Sequence, residues 1–167
     1  MAIQQLCEVL ETLLQQHEQL QQYAEQKKAA LIQNDVNLLN ETVNKEARLI
    51  KLISDAELKR HDAVYRFYQE KGFQATSSTK VADVIRMVTN SQDKLRLLEL
   101  SERLTSVVYQ LKALNDLNMT LIQQAIEIND FSLNILAGSF EPQDFVYKKP
   151  TDYSQSGMNL KFFDSRA

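Results

Sequence analysis

Helix-breaking residues are nearly missing from most of this chain. Among its 167 residues three are glycine and two are proline, and both prolines and two of the glycines, Gly138 and Gly157, lie beyond residue 137. Residues 1–137 therefore hold almost nothing that would stop a helix, whereas 138–167 hold most of the breakers. This division predicts an all-α fold, with a helical bundle over 1–137 and an irregular C-terminal tail over 138–167. Cysteine is scarcer still: Cys7 stands alone, so no internal disulfide can form and a reducing compartment is the simplest reading. An excess of one charge is lacking too. The formal charge is −3, with basic residues scattered among acids, and phosphates would need a concentrated basic face, so a nucleic-acid partner is not expected. No run approaches the roughly 18 uncharged apolar residues of a membrane span, and the start, Met1 to Leu14, holds Glu8 and Glu11 and no basic leader. A cytoplasmic, soluble protein with no direct membrane insertion is the expectation.

Catalytic constellations are missing as well. A di-metal helical bundle needs Glu-x-x-His pairs pointing inward, and neither His17 nor His61 has a glutamate three residues before it. His17 falls among apolar positions and reads as a polar interruption that fixes register, while His61, between Arg60 and Asp62, reads as surface. Cys7 has no basic sequence neighbour to lower its pKa and reads as a small packing residue. Phosphate-cradling loops need clustered glycines, which this chain does not have. No cofactor, no metal and no enzymatic activity are expected.

What the chain does have is long apolar periodicity. Leu97, Leu100, Leu104, Val107, Leu111, Leu114, Asn118, Leu121, Ala125, Ile128, Ser132 and Ile135 recur at alternating steps of three and four, the spacing of a helix that buries one seam against another. At about 1.5 Å per residue such a helix is roughly 60 Å long and needs a partner of similar length. The N-terminal stretch supplies one, through Ile3, Leu6, Leu10, Leu13, His17, Leu20 and Ala24. After Leu31 the seam slips by one residue and continues as Ile32, Val36, Leu39, Val43, Ala47, Ile50 and Ile53. That predicts one helix over about 2–71 with locally altered winding, although Asn34 and Asp35 could instead cap a second helix.

Lys71-Gly72 marks a stop. Val81, Val84, Ile85 and Val88 predict a short helix over about 79–88 entered through Ser78 or Thr79, and Asn90 with Asp93 predicts the start of a helix over 91–137. The expected architecture is a long antiparallel helical hairpin or coiled coil with a short connecting helix and an irregular C-terminal tail.

The last helix has more apolar surface than one seam requires. Met119, Ile122, Ile126, Leu133 and Leu136 form a second stripe, with Leu117 and Phe131 on the other flank, in a stretch nearly free of charge. These residues either pack against the protein's own elements or a second copy, or they form a client-binding face. Asn118 sits in the seam, where an asparagine sets register across helices. The tail holds six of the thirteen aromatic residues, Phe140, Phe145, Tyr147, Tyr153, Phe162 and Phe163, and reads as a segment that orders when it docks.

The run Ala24-Glu25-Gln26-Lys27-Lys28-Ala29-Ala30-Leu31-Ile32-Gln33-Asn34-Asp35-Val36 resembles the lysine-rich turn, Ala-Leu-Ile step and Gly-Asp pair of the FlgN-type flagellar export chaperones, with Asn34 in place of the glycine. Leu111-Lys112-Ala113-Leu114-Asn115-Asp116-Leu117-Asn118-Met119-Thr120-Leu121-Ile122 is similar to that family's repeated asparagines leading into Leu-Ile. The ending Phe162-Phe163-Asp164-Ser165-Arg166-Ala167 agrees too. The resemblance implies a chaperone that binds the C-terminal helices of hook-filament junction proteins, prevents their premature assembly and delivers them to the cytosolic domain of the export gate. In that reading Met119, Ile122, Ile126, Leu133, Leu136, Leu117 and Phe131 contact the client, Phe140, Phe145, Tyr147, Phe162 and Phe163 dock with the tail, and the chain can self-associate when no client is present. A reading of a different class is a coiled-coil adaptor that dimerises through the last helix and holds no unfolded client.

Overall fold

A computed structural model describes residues 2–74, 76 and 79–138, which form four helices: α1 (Ala2–Gln33), α2 (Val36–Glu70), α3 (Val81–Met87) and α4 (Ser91–Leu136). No strand occurs among the described residues, and the all-α expectation is met. The tail from residue 139 on lies outside them.

The predicted helix over 2–71 is two helices, and the alternative of a cap at Asn34 and Asp35 is the one realised. Asn34 adopts φ +54°, the left-handed conformation that asparagine tolerates better than other residues with a Cβ. Its N–H donates to the Leu31 carbonyl (3.3 Å) and the Asp35 N–H to the Ala30 carbonyl (2.9 Å), the pair of bonds that closes a helix C-terminus. Asp35 then starts the next helix, its Oδ1 accepting from the Leu38 N–H at 2.9 Å, which satisfies one of the donors a helix N-terminus leaves open. Stop and start thus occupy two adjacent residues. Asn34→Ala is expected to cost about 1 kcal/mol, since alanine pays the full left-handed penalty, and Asn34→Gly to leave the urea midpoint equal or higher.

The remaining boundaries are also local in origin. After α2, Gly72 takes φ +75°, with its N–H on the Gln69 carbonyl (3.0 Å) and the Phe73 N–H on the Tyr68 carbonyl (2.9 Å), so the expected Lys71-Gly72 stop is present. Helix α3 begins later than Ser78 or Thr79 would have it. Thr79 Oγ1 accepts from the Thr76 N–H instead (3.0 Å), Lys80 is the capping position, and its N–H donates to Asp83 Oδ2 at 3.0 Å, so the carboxylate reaches back from inside the first turn. Asn90 caps α4 as expected, its Oδ1 accepting from the N–H groups of Gln92 (2.9 Å) and Asp93 (3.2 Å).

The chain divides into two compact units, residues 1–127 and 128–167. In the first, α1 and α2 fold back on each other. The Ala2 N–H donates to the Glu70 carboxylate (3.1 and 3.3 Å) at one end, and Lys27 Nζ reaches Glu46 Oε2 (2.7 Å) towards the other. Helix α4 runs parallel to α1: Arg96 meets Glu11 (2.6 Å) and Arg103 meets Glu18 (3.1 Å) at an offset of 85 residues, Gln21 donates to Gln110 at an offset of 89 (3.0 Å), and Asn118 Nδ2 donates to the Ala24 carbonyl at an offset of 94 (2.9 Å).

The main core lies where all four helices meet. Leu6, Leu10 and Leu13 of α1 pack there with Ala63 and Phe67 of α2, Val84 of α3 and Leu97 and Leu100 of α4. Farther along, a smaller cluster joins Leu20 and Ala24 to Leu111 and Leu114, backed by Leu49 and Ile53. Beyond it the buried positions are the small Ala30 and the polar Thr42, Glu46 and Asn118. The apolar core thus thins towards the α1–α2 turn.

Candidate functional site

The seam of α4 is buried at Leu97, Leu100, Leu111, Leu114 and Asn118, and half-buried at Leu104, Val107, Leu121 and Ala125. Asn118 does what its position implies. It is 1 % exposed and its amide bonds across to α1, which a register shift would break. Its Oδ1 has no hydrogen-bond partner. His17, by contrast, bonds within its own helix, Nδ1 lying 2.7 Å from the Leu13 carbonyl, so it ties nothing across the bundle. His61 is exposed, with Arg60 at 3.2 Å. Cys7 is buried in the main core. Burial pushes its thiol above the ordinary value, opposed by nearby Arg96 and reinforced by Asp93, Glu11 and Glu8, which keeps it protonated at neutral pH.

The second stripe is accessible. In the first unit Met119 is 67 % exposed, Ile126 about half exposed and Ile122 half-buried. At about 100° per residue these three share one face, while Leu117, also exposed, lies roughly 160° round the helix from Met119 and does not join them. In the second unit Phe131, Leu133 and Leu136 are all exposed, Leu136 at 84 %. Leu133 and Leu136, three residues apart, share a side of the helix. Ile128 and Ile135 were read as seam, and both are exposed. Phe140, Phe145, Tyr147, Phe162 and Phe163 lie outside the described residues.

Sequence reading missed a further set on α2. The slipped seam assigned Val36, Val43, Ala47 and Ile50 to the interior, but all four are exposed, Val36 at 60 %, Val43 at 46 % and Ile50 at 54 %. The residues of α2 that turn inward over this stretch are the buried Thr42 and Glu46 and the half-buried Leu38, Leu39, Leu49 and Ile53, so of the slipped seam on α2 only Leu39 and Ile53 face inward. A periodicity argument assumes that the most apolar face is the buried one, and here that assumption fails. The slip itself was the available signal: two competing stripes run through 36–53, and one chain can bury only one of them.

Surfaces of this kind bind by shape and desolvation. They are apolar rows at helical spacing, the one on α4 in a stretch with few charges, and they suit an amphipathic helix laid alongside. No helix of the described residues is long and apolar enough to cross a membrane. Comparison with known proteins gives one finding: the family model described as FlgN protein matches residues 1–155. No curated protein and no solved structure matches the chain.

Proposed function

We propose, from the premise that the chain belongs to the FlgN family of flagellar export chaperones, that it acts in the cytoplasm on hook-filament junction proteins, binding their C-terminal helical regions and delivering them to the cytosolic domain of the export gate. The observation that carries this reading is the exposed apolar side chains on α4 at Met119 and Ile126, beside the half-buried Ile122. Segments that assemble as helical bundles expose apolar faces before assembly, and a chaperone must offer them a substitute neighbour. Met119, Ile122 and Ile126 supply it in the first unit, where Leu117 adds contact on the opposite flank, and Phe131, Leu133 and Leu136 supply further apolar contact in the second. The aromatic residues of the tail add to binding when a client arrives. Binding and release of this kind depend on differential affinity and need no nucleotide.

Light scattering of the full chain with and without a peptide of a junction protein's C-terminal sequence tests this. The expected result is a one-to-one complex formed at the expense of any self-association. Ile122→Asp with Ile126→Asp is expected to weaken it at least thirtyfold while helicity is retained. A dimer indifferent to the peptide would mean an adaptor instead.

A further inference from the structure

The client-binding reading places one wall of the binding site on α4, and the structure supplies a second. Helix α3 lies between α2 and α4 at one end of the bundle, Val84 fully buried in the core that all four helices share. At the start of α3 a pocket of about 490 Å³ opens, lined by Lys80, by Glu57 and His61 of α2, and by Ser101 and Thr105 of α4. Seven-residue steps along each helix follow the two walls away from α3, since an ideal helix drifts only about 20° per heptad. From Glu57 they reach Ile50, Val43 and Val36. From Ser101 they pass Val108 and Asn115 to Ile122, and from Thr105 they pass Lys112 to Met119 and Ile126, so the α4 wall turns apolar from Met119 on. Equal counts along the antiparallel pair bring Val43 level with Met119 and Val36 level with Ile126. The two exposed apolar rows therefore face one gap, in line with α3, and no described residue fills it.

We infer that the α2–α4 groove beyond α3 is the seat of one amphipathic helix of the client, held between Val36, Val43 and Ile50 on one side and Met119, Ile122 and Ile126 on the other. The inference rests on the chaperone reading and adds the α2 wall to it. Continuity with the α3 interface identifies the occupant: α3 fills the fourth-helix position at one end with seven residues, and the same position continues past its first turn. From Ile50 to Val36 the part that no described residue fills is about 21 Å long, room for roughly four turns with apolar residues at i, i+3 or i+4, and i+7.

The test uses the full chain and a synthetic peptide of a junction protein's C-terminal sequence. Val43→Cys places a thiol in the groove, while buried Cys7 stays slow to react. Maleimide labelling at 43 is expected to be fast in the free protein and at least twentyfold slower under saturating peptide, and Val43→Asp with Ile50→Asp is expected to lower peptide affinity at least thirtyfold. If the α2 variant binds like the unaltered protein while Ile122→Asp with Ile126→Asp does not, the groove is wrong and the chaperone reading stands. If the unaltered protein binds no peptide, both are wrong. A concentration-dependent dimer that Val43→Asp abolishes with affinity unchanged would give the face to a second copy. Labelling that begins only after residues 139–167 are removed, and persists with peptide bound, would give it to the chain's own end. Either result overturns the inference.

Discussion

Replacing Leu97 by alanine is expected to lower the unfolding free energy by about 2–5 kcal/mol, while the same truncation at Leu133 changes it by less than about 0.5 kcal/mol. Both leucines lie on α4, so helix propensity and side-chain chemistry cancel in the comparison. They differ in surroundings. Leu97 is fully buried in the core with Leu6, Leu10, Val84 and Phe67, so truncation removes its transfer free energy and leaves a cavity that neighbours on four helices can only partly close. Leu133 is 62 % exposed, and truncation there removes little contact. Urea denaturation followed by circular dichroism measures both, with an unchanged denaturant slope as the check that one transition is being compared. Equal losses at the two sites would mean that the exposed leucine is part of a core after all, and the surplus on which the proposed client binding rests would vanish.

The contrast between those leucines also shows what sequence reading could reach. Boundaries set by local chemistry were legible: Lys71-Gly72 ended α2, and Asn90 with Asp93 began α4, because a cap needs only its neighbours. The seam from Leu97 to Asn118 was legible because its partner, α1, is as regular as itself. Reading failed at Asn34 and Asp35, where the apolar rhythm ran on through a reversal of the chain. Val36, Val43 and Ile50 kept time with α1 although they belong to an outward face, and the true inner residues, Thr42 and Glu46, are polar enough to pass for surface. The candidate site was legible in proportion to its locality. The α4 stripe could be read along one helix, whereas its α2 counterpart emerges only once α3 shows where the gap between the helices begins.

Polar residues inside the bundle give the second large expected effect. Asn118→Asp should destabilise the protein by roughly 3–5 kcal/mol at neutral pH. The amide of Asn118 donates to the Ala24 carbonyl, and its Oδ1 already goes without a partner. A carboxylate in the same place would have two acceptor oxygens, one of them set against the Ala24 carbonyl. Lys27, one turn along α1, is already engaged by Glu46 at 2.7 Å. The cost should depend on pH with a definite sign. In the unfolded chain the introduced carboxyl titrates near about 3.9, and in the folded chain burial holds it higher, so between the two values the folded state binds more protons and stability falls as pH rises.

Below both values the protonated acid can donate to the Ala24 carbonyl as the amide did, and most of the loss should disappear. Asn118→Leu separates charge from packing. It gives up one hydrogen bond, worth about 1 kcal/mol, but also removes an unpaired buried oxygen, and is expected to stay within about 1 kcal/mol of the unaltered protein at every pH. Urea midpoints for the three proteins from pH 3 to pH 8 decide the matter. A deficit for Asn118→Asp that does not change with pH would mean that water reaches residue 118, and that the bundle is open beyond its smaller apolar cluster even without a client.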